Sequence, residues 1–373
     1  MSISHIRKAG SLSFIALITV LVLGWILRAQ VTLVPDLIPG VNGAYYLVQT
    51  RAILHTGFLG IPDFPLLFYF QAFLSAVISL FTSTDLAVFT AVRLIDTILP
   101  VLLAVPVCLF ARQFALNDNQ RYISAAASLT IGLIAVGNES IKRMAGDFQK
   151  NAVALPLFLA FVYFLYMSLE YHHRRDIILS LIFLCLICFT HIGVAALAIT
   201  TTGLIIIIST ILNKDLKRAL IIVSVLVISL FISLYLVSLF DLERVIRLVR
   251  FVINPGKLFS GSLVSTWLGL SFRPNTPFVL EGVVIGNAFG VLGILTAVVY
   301  RKNMDYAVSA VLWASSLNAL LYASPFIGGE LSQRLGMMAF VPALIPLTFF
   351  VTRNKWNCIV SVILAFFILF SPN

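Results

Sequence analysis

Asp36, Asp63, Glu139, Asp147, His191 and Arg334 fall in polar breaks of a chain that is otherwise nearly uncharged. Together they offer a base, an acid and a cation. A carboxylate within hydrogen-bond reach can take a proton from an acceptor hydroxyl. An arginine, or a divalent cation held by carboxylates, can stabilise a departing phosphate or diphosphate. That combination suits a reaction between a lipid-linked substrate and a partner outside the membrane. Each residue also has an ordinary role open to it. Asp63, between Pro62 and Pro65, is placed to N-cap a helix that begins at Leu66. Asp36 follows Pro35 in a turn. His191, at the end of an apolar run, can be satisfied by a neighbouring helix, and Tyr45 and Tyr46 fit an aromatic belt.

The elements that must position these residues are apolar. The chain has 373 residues, of which 60% are hydrophobic and 11% charged, with a mean hydropathy of +1.05. A soluble domain carries about a quarter charged residues. Runs of roughly 17 to 25 apolar residues recur from end to end, each long enough to cross a ~30 Å hydrocarbon core as a helix. Backbone groups in lipid need internal partners, so the spans are helical. The composition therefore specifies an all-α, polytopic membrane protein forming a single transmembrane domain over residues 1–373. The net charge of +10 gathers in short loops between spans, which is the positive-inside pattern. It does not point to a nucleic-acid partner. Cys108, Cys185, Cys188 and Cys358 all lie in apolar runs. The C-x-x-C spacing of Cys185 and Cys188 reads as packing within a helix and supports neither a disulfide framework nor a zinc site.

The basic N-terminal residues, followed by Leu12 to Leu27, read as an uncleaved first span with a cytoplasmic N-terminus. Whether Leu66–Thr82 crosses the membrane then sets the topology. It is short and lacks a basic anchor at either end. If it does not cross, eleven basic residues of short loops fall on the cytoplasmic side and four on the other, the asymmetry expected of inner loops. About eleven spans result, near 12–28, 87–111, 122–137, 152–169, 177–190, 193–212, 219–240, 283–300, 306–322, 336–351 and 358–371. The polar stretches at 30–82, 138–151 and 241–282 become outward loops. The first carries a surface helix from Leu66. The third opens with Asp241–Arg250, whose apolar spacing fits an interfacial helix. Arg93 and Asp96, three apart near the start of a span, are able to pair with each other.

Asn42-Gly-Ala-Tyr-Tyr through Arg51 to Gly57, followed by Pro62-Asp63-Phe-Pro65-Leu-Leu-Phe-Tyr, resembles the first outer loop of GT-C membrane glycosyltransferases. Met144-Ala-Gly-Asp147-Phe-Gln-Lys-Asn151 is similar to that superfamily's second acidic loop, and Thr190-His191 and Gln333-Arg334 are familiar in the same way. The resemblance covers the first 200 or so residues and the later arginine. It implies transfer of a sugar from a polyprenyl-phosphate donor to a glycan, lipid or protein acceptor at the outer membrane face. It also implies roles: Asp63 as first candidate base with Asp36 second, and Asp147 as a supporting acid or metal ligand. Arg51, His191 and Arg334 would contact the donor phosphate, with Asn42 and Tyr45 completing the substrate-binding set. A divalent cation is a candidate cofactor. One departure stands out: Asn42 occupies the place of the superfamily's usual first-loop acid, and an amide is neither a carboxylate base nor a strong cation ligand. A non-catalytic member that binds a lipid-linked glycan is therefore an alternative. A lipid or solute transporter is another, although the few charges inside spans argue against ion coupling.

Overall fold

Pro100, which has no N–H to donate, breaks the longest apolar run into two helices joined by a 3₁₀ turn at Leu99–Leu103. This is a local variation in a fold built entirely of helices among the described residues, which in this computed structural model are 3–115, 121–213, 216–243, 245–246, 277–324 and 329–370. In chain order the helices are α1 (Ile3–Thr32), α2 (Gly43–Thr56), α3 (Leu66–Ile78), α4 (Thr84–Ile98), α5 (Ala104–Phe114), α6 (Arg121–Gly137), α7 (Glu139–Arg143) and α8 (Gln149–Tyr171). There follow α9 (Arg174–Thr190), α10 (Ile192–Asn213), α11 (Leu216–Ser238), α12 (Pro277–Tyr300), α13 (Tyr306–Tyr322), α14 (Gly329–Met338), α15 (Phe340–Thr352) and α16 (Lys355–Phe370). Six of these segments are long and apolar enough to cross a membrane: 12–32, 84–114, 149–171, 192–212, 283–300 and 334–352. Shorter apolar helices cover 66–78, 122–137, 227–238 and 306–322. Most of the 241–282 loop, including half of Asp241–Arg250, lies outside the described residues.

The core sits where α5, α8 and α15 meet. Phe110, Phe114, Phe158, Phe161, Tyr166, Phe340 and Phe349 are all fully buried there. The 334–352 segment is the most enclosed of the long ones, 94% buried, whereas α1 is only 22% buried and lies at the periphery. Its exposed Phe14, Ile18, Val22 and Trp25 suit contact with lipid tails. Some neutral polar side chains inside the bundle are bonded across helices. The Asn318 amide of α13 donates to Thr201 of α10 and accepts from Thr200 at 3.2 Å, a pattern that ties helices together where water is absent.

The first loop is more helical than its polar sequence suggests, because α2 occupies residues 43–56. Gly57 closes α2 in a left-handed conformation, returning its N–H to Ile53 O. At 13 residues, α3 rises about 20 Å, short of a ~30 Å hydrocarbon core. It buries Leu67, Phe68, Gln71, Ala72 and Ser75 and exposes Phe70, Phe73 and Val77. The exposed set is apolar, as on a helix lying at a membrane surface.

Asp63 does not cap α3. The N-cap position is Pro65, and no side chain bonds the helix start. Arg93 and Asp96 do not pair with each other either. Arg93 reaches back to the end of α1, donating to Thr32 O and Pro35 O at 2.6 Å each. Asp96 instead meets Arg28 of α1, Oδ1 to Nη2 at 2.6 Å, with both side chains almost fully buried. Arg28 donates further to Asp96 O and Ile141 O, and the second Asp96 oxygen accepts from Gly146 N at 2.7 Å. Spacing along one helix offered the i, i+3 pair, but at this depth the arginine on the adjacent helix satisfies the carboxylate and also ties down the second loop. Cys185 and Cys188 are free thiols. Cys185 contacts Ser229 and Ser233 of α11, consistent with a packing role.

Candidate functional site

The two loops meet at one end of the bundle, and glycines make the approach possible. Gly146 has φ +74, and a Cβ placed there would lie 1.7 Å from Pro39 O, so no other residue fits. Gly40, at φ +85, leaves the space that the Asp147 carboxylate fills. One Asp147 oxygen accepts from the backbone N–H of Asn42 at 2.7 Å. The second-loop acid thus sits directly against Asn42. Asn42 is exposed and precedes α2 without a side-chain capping bond. On the next residue along, Phe148, the Arg334 guanidinium of α14 lies 6.0 Å over the ring. Asn42 and Asp147 are thus in contact, and Arg334 reaches the same loop through the ring of Phe148.

A second cluster adjoins it through Lys150. Asp63 is completely buried and holds three donors. Its Oδ2 accepts from Tyr45 Oη at 2.5 Å and from Lys150 Nζ, and Oδ1 accepts from Phe64 N at 2.7 Å. Gln49 fixes the strand-like segment before it, exchanging hydrogen bonds with Ile61 N and O and donating to Tyr45 Oη. The Lys150 ammonium also lies 5.4 Å from the Phe68 ring centroid and 5.8 Å from that of Tyr45. Tyr46 sits beneath, its hydroxyl at the start of α8 beside the Gln149 and Lys150 amides and the Asp147 carbonyl. Burial pushes the Tyr46 phenol well above the ordinary tyrosine range, so it remains neutral.

The remaining sequence candidates lie apart. Arg51 pairs with Asp85 at 2.5 Å on an exposed surface. Asp36 is exposed and makes no hydrogen bond within the described residues. His191 lies between α9 and α10, its Nδ1 accepting from Val194 N at 3.3 Å, which caps the start of α10. Among the described residues no group of His, Cys, Asp or Glu side chains has the arrangement to hold a metal ion. The side chains around Asp63 fit a lysine rather than a divalent cation.

Lys150 and Gln49 are not among the site residues expected from the sequence, and Tyr46 reads there only as part of an aromatic belt. Lys150 did leave a signal. A lysine in the first turn of a helix opposes the positive end of the helix dipole, so it needs an acid from elsewhere, and Asp63 is that acid.

A buried core of long apolar helices, with the two short helices α2 and α3 of the first loop packed against α4, gives this chain the GT-C fold. Among solved structures that show this likeness is ArnT from Cupriavidus metallidurans bound to undecaprenyl phosphate, with TM-score 0.55 and 16% identity over 90% of this chain. The same enzyme in the apo state aligns at a TM-score of 0.48. The chain spans 59% of the length of the ArnT chain. No protein-family model matches the sequence, and a search of curated proteins returns no match.

Proposed function

We propose that the chain is a membrane glycosyltransferase that moves a sugar from a polyprenyl-phosphate donor to an acceptor hydroxyl at the loop end of the bundle. The fold supports the donor class, since ArnT holds undecaprenyl phosphate, and a polyprenyl phosphate is what remains once such a donor has given up its sugar. The observation that carries the reading is the contact of Asp147 with Asn42, with Arg334 approaching the same loop over the ring of Phe148. The second-loop carboxylate thereby reaches the position where the first-loop acid is missing. In this reading the acceptor oxygen attacks the anomeric carbon and its proton passes to Asp147. The bond from that carbon to the phosphate oxygen breaks, and Arg334 and Lys150 balance the charge left on the phosphate. Access favours Asp147 over Asp63 as the base, because Asp63 is enclosed and shared among three donors. Asp63 then serves to orient Lys150. The concentration of basic residues at the opposite end supports an outward-facing loop end and a cytoplasmic N-terminus. Impermeant thiol labelling of Asn117→Cys in intact cells checks this, and ready labelling from outside would reverse it.

The test uses the purified chain with a labelled undecaprenyl-phosphate sugar and envelope acceptors. Asp147→Asn should lower turnover by about 10²–10⁴-fold with little change in thermal unfolding, because the amide oxygen still accepts from Asn42 N–H. Full activity in Asp147→Asn would sink this assignment. A second reading, a GT-C-fold protein that binds a lipid-linked glycan without chemistry, is favoured by the amide at Asn42 and the saturated Asp63. Wild-type protein that binds the lipid sugar but never turns it over would establish that reading instead.

A further inference from the structure

The other end of the bundle carries an arginine that the described residues leave without a polar partner. α15 begins beside Met338, which contacts Asn151 near the start of α8 at 3.7 Å, and runs away from the loops. Arg353 follows its last turn and so lies at the opposite end. There the Arg353 guanidinium is 3.7 Å from the Phe349 ring centroid and 6.0 Å from that of Tyr300. Phe114 and Tyr300 pack edge-on to Phe349 at 5.3 and 6.2 Å, so the stacking surface is rigid.

A guanidinium stacked in this way uses its flat face on the ring and keeps five N–H donors in its own plane. Within the described residues none of them makes a hydrogen bond or an ion pair, and Nε is buried without a partner. A buried charged donor without an acceptor is rare in folded proteins because its lost hydration is not replaced. Burial lowers the guanidinium to about 10, which leaves it charged at neutral pH.

The surroundings suit an acceptor that arrives with the membrane. Arg301 and Lys302 follow Tyr300 and are exposed. Lys355 lies 5.6 Å over the ring of Trp356, itself 63% exposed. Tryptophan and basic residues just beyond a span are the usual anchors at headgroup depth, and the apolar segment 334–352 ends one residue before Arg353.

We propose that Arg353, stacked on Phe349, binds a phosphate oxygen of an anionic lipid headgroup at the basic end of the bundle, with Arg301 and Lys302 at the rim of the site. Nothing in this depends on the chemistry of the loop end. The planar fork of arginine accepts a phosphate through two parallel N–H bonds, and a basic pocket between helices at the membrane surface is a recognised way of holding such headgroups.

The full chain in detergent is titrated with phosphatidylglycerol, with phosphatidylcholine and with inorganic phosphate, following retained lipid by native mass spectrometry and unfolding by thermal denaturation. Phosphatidylglycerol should be retained and should stabilise the protein in preference to phosphatidylcholine. Arg353→Ala should weaken that binding about tenfold or more, the worth of one charge-assisted pair. Arg353→Lys keeps the charge but loses the fork, so it should fall between, and it carries the test if the alanine variant does not fold. Wild-type protein that does not distinguish the two lipids would overturn the proposal. So would variants that retain phosphatidylglycerol as the wild type does. Stabilisation by inorganic phosphate equal to that by phosphatidylglycerol, and lost in Arg353→Lys, would replace the lipid with a free-phosphate site.

Discussion

Replacing Asp96 with alanine removes the one carboxylate that faces Arg28, and the structure allows the cost to be worked out. Arg28 and Asp96 are 3% and 1% exposed, so water cannot take the place of the lost partner. Asp96 Oδ1 accepts from Arg28 Nη2 at 2.6 Å, and Oδ2 accepts from Gly146 N at 2.7 Å. The alanine variant therefore strands a buried positive charge and a buried backbone N–H together. Breaking one side of such a pair costs about 3–5 kcal/mol. The two bonds that Arg28 keeps, to Asp96 O and Ile141 O, place the expected loss toward the lower figure. The double variant Arg28→Met, Asp96→Leu removes both charges and fills much of the same volume, so it should be less destabilised than Asp96→Ala alone. A double-mutant cycle read by chemical denaturation in detergent measures this coupling. Because Asp96 also holds Gly146, the single variant should loosen the second loop, and limited proteolysis near residue 146 should detect it. If the two single losses simply add in the double variant, the pair is not coupled and the account of how the second loop is anchored is wrong.

Gly146→Ala should destabilise the protein by more than about 1–2 kcal/mol, because it combines an unfavourable φ with a Cβ 1.7 Å from Pro39 O; thermal unfolding checks it. Asp63→Leu should also destabilise the protein, by up to about 3 kcal/mol, because it leaves the largely enclosed Lys150 without its acid, and adding Lys150→Met to it should recover much of that loss. Tyr46 bears on pH. Burial raises its phenol above the ordinary value of 10.0, so the unfolded chain releases the proton first, and the Tyr46 contribution to stability is present below pH 10 and lost as pH rises beyond it. The slope is about 1.4 kcal/mol per pH unit. Tyr46→Phe should therefore lose less stability than wild type between pH 10 and 11, and an unchanged slope would contradict the burial argument.

The sequence by itself determined that the chain is a helical membrane protein, because the apolar runs leave no other way to satisfy the backbone in lipid. Each of the eleven apolar runs falls largely on helix among the described residues, and six of them lie on segments long and apolar enough to cross a membrane. Local chemistry also located the two loops, since Asn42, Asp63 and Asp147 are polar residues in short motifs whose neighbours are prolines and glycines. What local sequence left open was which partner each charge would find. Asp96 was three residues from Arg93 yet pairs with Arg28, 68 positions away. Asp63 had the placement of an N-cap yet became the buried acceptor of Lys150, 87 positions away. Arg51 looked as well placed as Arg334, and it ended on an exposed pair with Asp85. A charge in a low-dielectric interior takes whichever opposite charge the packing of helices delivers. That packing depends on which faces meet, and it is decided only when the whole bundle closes.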